Sequence, residues 1–227
     1  MLRLQLRLSL ESDTTFGRGE GLAGLLDEEV EYDLATGLPF VRGRALKGLL
    51  VEECANLMYA LQAAGSPALS TLEAAAARLF GSPGSGLESA ARLHVGSALL
   101  PQELRDAARS AIEHNGLGPA DMLESLTAIR YQTAIDEQSA APEEHSLRSM
   151  RVVLRRAEFS AWLDFDYDPE TDDLALLAAC ALSARHGGMG RHRGRGRLSL
   201  RLLDESGTDV TMTHFEHFKQ LVAGEQA

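Results

Sequence analysis

Three stretches of this chain carry side chains whose types and spacing could do chemistry. The first is acidic: Asp27, Glu28, Glu29, Glu31 and Asp33 fall within one short segment. Clustered carboxylates can hold a divalent cation, and one set beside a ribose can help a metal-assisted cleavage; the same composition also suits a solvated loop. The second is Gly187-Gly188-Met189-Gly190-Arg191-His192-Arg193-Gly194-Arg195-Gly196-Arg197. Glycines let a backbone approach a phosphate closely, and the interleaved arginines supply charge. It is not a Walker loop, because no Gly-Lys-Ser/Thr ends it and it does not open a helix. The third runs from Gly37 to Leu50, where a Gly-bounded loop with Arg42 enters a helix whose first turn carries Arg44 and Lys47. Free N–H groups, the positive end of the helix dipole and nearby cations together favour a phosphate. The histidines His94, His145, His186 and His192 are scattered, which gives Ser–His–Asp chemistry no support.

The elements that must position these groups are legible as patterns. Leu2, Leu4, Leu6, Leu8 and Leu10 alternate with Arg3, Gln5, Arg7 and Ser9, which predicts an amphipathic strand opening the fold. Residues 11–29 read as a long ordered loop, and 30–34 and 39–41 as short extended pieces. From Ala45 the residues Leu46, Leu50, Cys54, Leu57 and Leu61 recur at helical spacing, and residues 71–79 predict a second helix. Residues 91–99 predict a strand, 101–118 a partly helical peripheral stretch, and 126–133 an extended piece. Residues 134–150 have no apolar period and read as a protruding loop. Two strands follow, at 151–154 and 158–167; a helix capped by Thr171 then carries Leu174, Leu177, Cys180, Ala181 and Ala184 on its apolar face. Arg197 to Leu203 predicts a closing strand, and residues 213–222 a terminal helix. Strand, helix, strands, helix, strand describes an α+β, ferredoxin-like sandwich.

Composition narrows the function classes. The chain has 227 residues, 44% of them hydrophobic and 24% charged, with no apolar run long enough to cross a bilayer. Its alternating start lacks the continuous apolar core of a signal peptide, which predicts a cytoplasmic protein. Cys54 and Cys180 both fall in apolar helical patterns, so buried thiols are expected rather than a disulfide. A net charge of −11 counts against a simple nucleic-acid binder. Positive charge is nearly all arginine, however, and it crowds the stretch from Arg191 to Arg201; a local arginine patch can still grip RNA.

Taken in order, the stretches resemble the RAMP superfamily, specifically the backbone subunits of type III CRISPR effector complexes. The resemblance rests on Asp33-Leu34-Ala35-Thr36-Gly37-Leu38-Pro39-Phe40-Val41-Arg42-Gly43-Arg44-Ala45-Leu46-Lys47-Gly48, similar to a D-P-x-T-G-x-P-Y-I-P-G-S-S-L-K-G-like run. It rests also on Leu79-Phe80-Gly81-Ser82-Pro83, on Arg130-Tyr131-Gln132-Thr133-Ala134-Ile135-Asp136-Glu137, which looks like the start of a thumb hairpin, and on Gly187 to Arg201. The resemblance implies one RRM-like domain over 1–227, with a peripheral insertion about 66–125 and a thumb about 131–150. It implies assembly with copies of itself and other subunits along a CRISPR RNA, and metal-dependent cleavage of complementary target RNA using Mg2+ or Mn2+. Asp27 falls at the catalytic and metal-binding position, six residues before Asp33. Arg42, Arg44, Lys47 and Arg130, together with Gly190, Arg191, His192, Arg193 and Arg195, fall at positions expected to hold RNA. A non-catalytic structural subunit of the same kind of complex is the alternative, since Gly24-Leu25-Leu26 before Asp27 and Glu28 after it depart from the family pattern.

Overall fold

The computed structural model describes residues 2–19, 26–82, 90–133, 147–191 and 194–224. In chain order the elements are β1 (Arg3–Leu10), α1 (Gly43–Ala63), α2 (Leu69–Phe80), β2 (Leu93–Val95), α3 (Gln102–His114), α4 (Pro119–Leu126), β3 (Thr127–Gln132), β4 (Arg148–Val153), β5 (Glu158–Phe165), α5 (Thr171–Ser183), β6 (Leu198–Leu203) and α6 (Thr211–Ala223).

The leucine alternation of the first ten residues becomes β1, with Leu4, Leu6, Leu8 and Leu10 buried. It is a central strand of a four-stranded sheet ordered β2-β5-β1-β6, every pair antiparallel. Two β-α-β halves interleaved in that order make a ferredoxin-like, RRM-like sandwich, as the sequence pattern implies. Phe159, Ala161, Leu163 and Phe165 of β5 and Leu198, Leu200 and Leu202 of β6 join the same core as residues of α1, α2 and α5. The opposite face of the sheet is polar. There the Arg3 guanidinium lies 4.2 Å above the Trp162 ring and 2.7 Å from Asp164, its cross-strand partner.

The helix at 171–183 is apolar nearly all round, with every residue from Asp173 to Ala181 buried. Such a helix sits inside the protein rather than on it, and α5 packs against α1, α2, α6 and β6. Its one buried charge is tightly held. The Asp173 carboxylate accepts from Arg78 Nε at 2.9 Å and Nη2 at 2.8 Å, from the Tyr167 hydroxyl at 2.8 Å and from the Glu170 N–H at 3.0 Å. Glu170, not Thr171, is therefore the N-cap, because Asp173 reaches back to its N–H; Thr171 is the first helical residue. Cys54 and Cys180 are buried free thiols.

Within residues 66–125, α2 buries Leu72, Ala75 and Leu79 in the core and β2 forms a sheet edge. Helices α3 and α4 each bury a single residue, Ala108 and Leu123. The stretch read as a loop over 134–150 is partly strand: Arg148, Ser149 and Met150 pair with Gln132, Tyr131 and Arg130, so the hairpin of β3 and β4 reaches three residues further out. Residues 134–146 lie outside the described residues. Among the described residues no helix is long and apolar enough to cross a membrane.

Candidate nucleic-acid interface

Strand β4 gathers the loops that carry the candidate residues. One of its edges pairs with β3; the other takes two loop segments in turn. The Asp27 N–H donates to the Ser149 carbonyl at 3.0 Å, and the Arg151 N–H to the Glu28 carbonyl at 3.0 Å. One step on, Thr14 and Val153 exchange both backbone hydrogen bonds, at 3.0 and 2.8 Å. The Gly/Arg loop docks on that second segment, the Met189 N–H donating to the Thr15 carbonyl at 2.8 Å and the Gly196 N–H to the Asp13 carbonyl at 3.3 Å. A glycine is required at position 196: its φ is +75°, and a Cβ there would lie 2.2 Å from the Gly187 carbonyl oxygen. Segments far apart in sequence thus meet along six residues of strand.

The five acidic residues do not act as one cluster. Glu29 is buried and ion-paired, its Oε1 accepting from Arg151 Nε at 2.8 Å. Glu31 lies 2.5 Å from an Arg42 nitrogen. Asp33 shapes a turn, accepting the Thr36 N–H at 2.9 Å and hydroxyl at 2.8 Å. Asp27 alone is presented outward at the β4 edge. Its Oδ2 accepts the Ser149 N–H at 2.6 Å and the Ser149 hydroxyl at 3.2 Å. The Ser149 N–H, with help from the hydroxyl and the nearby Arg148 charge, holds the Asp27 carboxyl below the usual carboxylate range. Among the described residues no three His, Cys, Asp or Glu side chains converge where they could hold a metal ion.

The predicted basic residues divide by what they touch. Arg44 is exposed on the first turn of α1 and makes no side-chain hydrogen bond or ion pair among the described residues. Lys47, one turn on, is half-buried; its Nζ donates to the Leu93 carbonyl at 3.0 Å, and burial pulls its ammonium below the ordinary lysine value. The start of α1 is pressed against β2 at Gly43, where a Cβ would lie 2.0 Å from the Val95 carbonyl oxygen. Arg191 forks onto Glu52 of α1 at 2.8 and 2.9 Å, and that pairing raises its already high basicity. Arg130 forks onto Asp13 at 2.7 and 3.1 Å. Arg195 Nη1 lies 2.8 Å from the Met150 sulfur. Gly190 turns the loop with φ +71°, while His192 and Arg193 lie outside the described residues.

Asp27, Arg195 and Arg130 thereby each contact or pair with Ser149 or Met150, toward the outer end of β4. Arg44 and Lys47 stand at the other end, by β2. Sequence spacing missed Ser149, Glu52 and the pair Arg155-Arg156. The first two act through contacts 122 and 139 residues away, which no local motif announces. The third left one trace, two adjacent arginines between predicted strands.

Comparison with known proteins fits this geometry. A chain of the type III-B Cmr-beta complex in its apo state superposes with a TM-score of 0.60 at 12% identity, over 90% of this chain and 98% of that one. A chain of the type III-B Cmr-beta complex bound to cognate target RNA gives 0.60 at 12% identity, over 89% and 97%. A chain of a type IV-B CRISPR complex gives 0.58 at 14% identity, over 90% and 92%. At such identities the likeness is one of fold. No curated protein matches the sequence. The RAMP superfamily model matches residues 7–199, from within β1 to within β6, a span that takes in the whole β4 assembly and the start of α1. The chain belongs to the RAMP superfamily.

Proposed function

We propose that this chain is a backbone subunit of a CRISPR ribonucleoprotein of the type III kind, which binds CRISPR RNA and presents Asp27 to complementary target RNA for cleavage. The observation that carries the proposal is the meeting at β4. Ser149 holds one outward, anionic carboxylate, and Met150, the next residue of β4, contacts Arg195 and pairs across the hairpin with Arg130. Arginines fix a phosphate backbone in place, and a carboxylate beside it meets the scissile group already oriented.

Asp27 enters the reaction deprotonated, because the Ser149 donors favour its charged form. It can accept a hydrogen bond from a ribose 2′-hydroxyl and orient it, while Ser149 keeps the carboxylate from swinging away. Of the described residues, Asp27 is the one that would help hold a divalent ion, with the remaining ligands supplied by RNA and water. Mg2+ or Mn2+ held there would offset the negative charge that develops on the scissile phosphate. Partners in this proposal are the guide and target RNAs, further copies of the chain and other subunits of the complex, in the cytoplasm.

The test is target-RNA cleavage by the assembled complex with Asp27→Asn, with and without a chelator. The variant is expected to assemble and bind target normally and to lose cutting at the regularly spaced positions. Unchanged cutting rules Asp27 out as the catalytic residue. The departure from the family-like pattern at Gly24-Leu25-Leu26 and Glu28 favours one other reading, a subunit that only scaffolds RNA. That reading is correct if the unaltered complex shows no chelator-sensitive cleavage.

A further inference from the structure

The short turn between β4 and β5 carries Arg155 and Arg156, and it forms one wall of an open cleft of about 710 Å³. Arg130, Arg195, Asp13 and Glu11 line the rest of its charged surface. Four guanidiniums thus face two carboxylates, in a chain whose net charge is −11.

Both carboxylates are already engaged. Asp13 takes the Arg130 fork on Oδ2 and the Arg155 N–H on Oδ1 at 3.2 Å. Burial pushes the Asp13 carboxyl up, but these donors outweigh it and hold it below its ordinary value. Glu11 lies 3.3 Å from Arg197. The side chains of Arg155 and Arg156 are exposed and make no hydrogen bond or ion pair among the described residues. Among the described residues Arg195 donates only to the Met150 thioether, a weak acceptor that leaves its charge uncompensated. The turn itself is unusual: Arg156 has φ +72°, and it is the one non-glycine among the described residues in that conformation. Glycine or asparagine adopts it more readily, so the arginine is held there against a local backbone preference.

We propose that this cleft extends the backbone-phosphate site beyond Arg130 and Arg195 for single-stranded RNA, with Arg155 and Arg156 as its free contacts and Asp13 holding Arg130 in position. The inference rests on the RNA-binding reading above and extends it to residues outside the family-like motifs. Phosphate is favoured over an acidic peptide because the lining offers one apolar side chain, Leu154, where a peptide site needs buried anchors. Guanidinium forks match phosphate oxygens in pairs. The cleft is tied to the Asp27 position through β4, because Arg195 contacts Met150 and the preceding residue, Ser149, holds Asp27.

The experiment measures binding of the full chain to a fluorescent single-stranded RNA across a salt series, with polyglutamate as competitor. Arg155→Gln/Arg156→Gln is expected to weaken binding about tenfold and to reduce the slope of log affinity against log salt by about 1.4, for two lost contacts. Arg156→Gly separates charge from backbone. It suits φ +72° and should fold at least as stably, yet still lose about half of that effect on the slope. Unchanged affinity and slope in both variants overturn the proposal, as does loss of polyglutamate binding with RNA binding intact. Arg44→Gln distinguishes the two readings. If it weakens RNA binding while the cleft variants do not, only the cleft proposal fails; if the unaltered chain binds no RNA, the broader reading fails too.

Discussion

Ser149 donates both its backbone N–H and its hydroxyl to one oxygen of Asp27, at 2.6 and 3.2 Å, across 122 residues of chain. Asp27 is otherwise an exposed carboxylate at the end of a loop, and this double donation fixes its direction and its charge.

The first prediction concerns that charge. Asp27 titrates below the ordinary value of 3.8, so its favourable interactions are complete above that value and are lost as pH falls through the lower folded midpoint. A carboxyl-carbon NMR titration of the full chain should place the Asp27 midpoint under 3.8. Ser149→Ala removes the hydroxyl donor and keeps the N–H, so the midpoint should rise part of the way back. A midpoint at or above the ordinary value in the unaltered chain contradicts the geometry.

A second prediction separates arginines already paired from those that are not. Arg44→Ala should lower RNA affinity about threefold to tenfold and flatten the salt slope by about 0.7, with thermal stability unchanged. Glu52→Gln should act in the opposite direction. It releases Arg191 from an exposed ion pair worth about 0.2–1 kcal/mol, so RNA affinity should rise about twofold to fivefold. Unchanged affinity and salt slope for Glu52→Gln would show that Arg191 does not contact RNA.

The third prediction is one of stability. Asp173 is fully buried and compensated by Arg78, the Tyr167 hydroxyl and the Glu170 N–H. Asp173→Ala leaves Arg78 with the exposed Glu170 carboxylate alone, strips the Tyr167 hydroxyl and Glu170 N–H of their acceptor, and should destabilise the fold by about 3–5 kcal/mol in urea unfolding. Tyr167→Phe removes one neutral donor and should cost about 1 kcal/mol. Burial and the Asp173 charge push the Tyr167 phenol above its ordinary value, so no tyrosinate contributes at physiological pH. Equal effects of the two substitutions would show that the Arg78 pair is not the main compensation.

Much of the architecture was legible because period and burial agreed. The leucine alternation gave β1 its buried face, and the 3.6-residue spacing from Leu46 to Leu61 gave α1. The α5 cap was missed by one residue, because Asp173 satisfies the backbone of Glu170 and leaves Thr171 inside the helix. The β4 strand was read too short, since Arg148 and Ser149 are polar and take their extended form from pairing with β3 and, at Ser149, with the Asp27 segment. At the site, residue types were visible and partners were not. The acidic run looked like a cluster, but Arg151 and Arg42, from distant segments, neutralise Glu29 and Glu31 and leave Asp27 exposed.

Successive β4 residues face in opposite directions, and Ser149, Met150 and Arg151 each hold a different group: Asp27, Arg195 and Glu29. Sliding β4 by one position against its neighbours would therefore unseat the carboxylate, the loop arginine and the buried ion pair in a single event. The hairpin behaves as a key with three cuts, and any force that shifts its stem moves Asp27, Arg195 and the Glu29–Arg151 pair together.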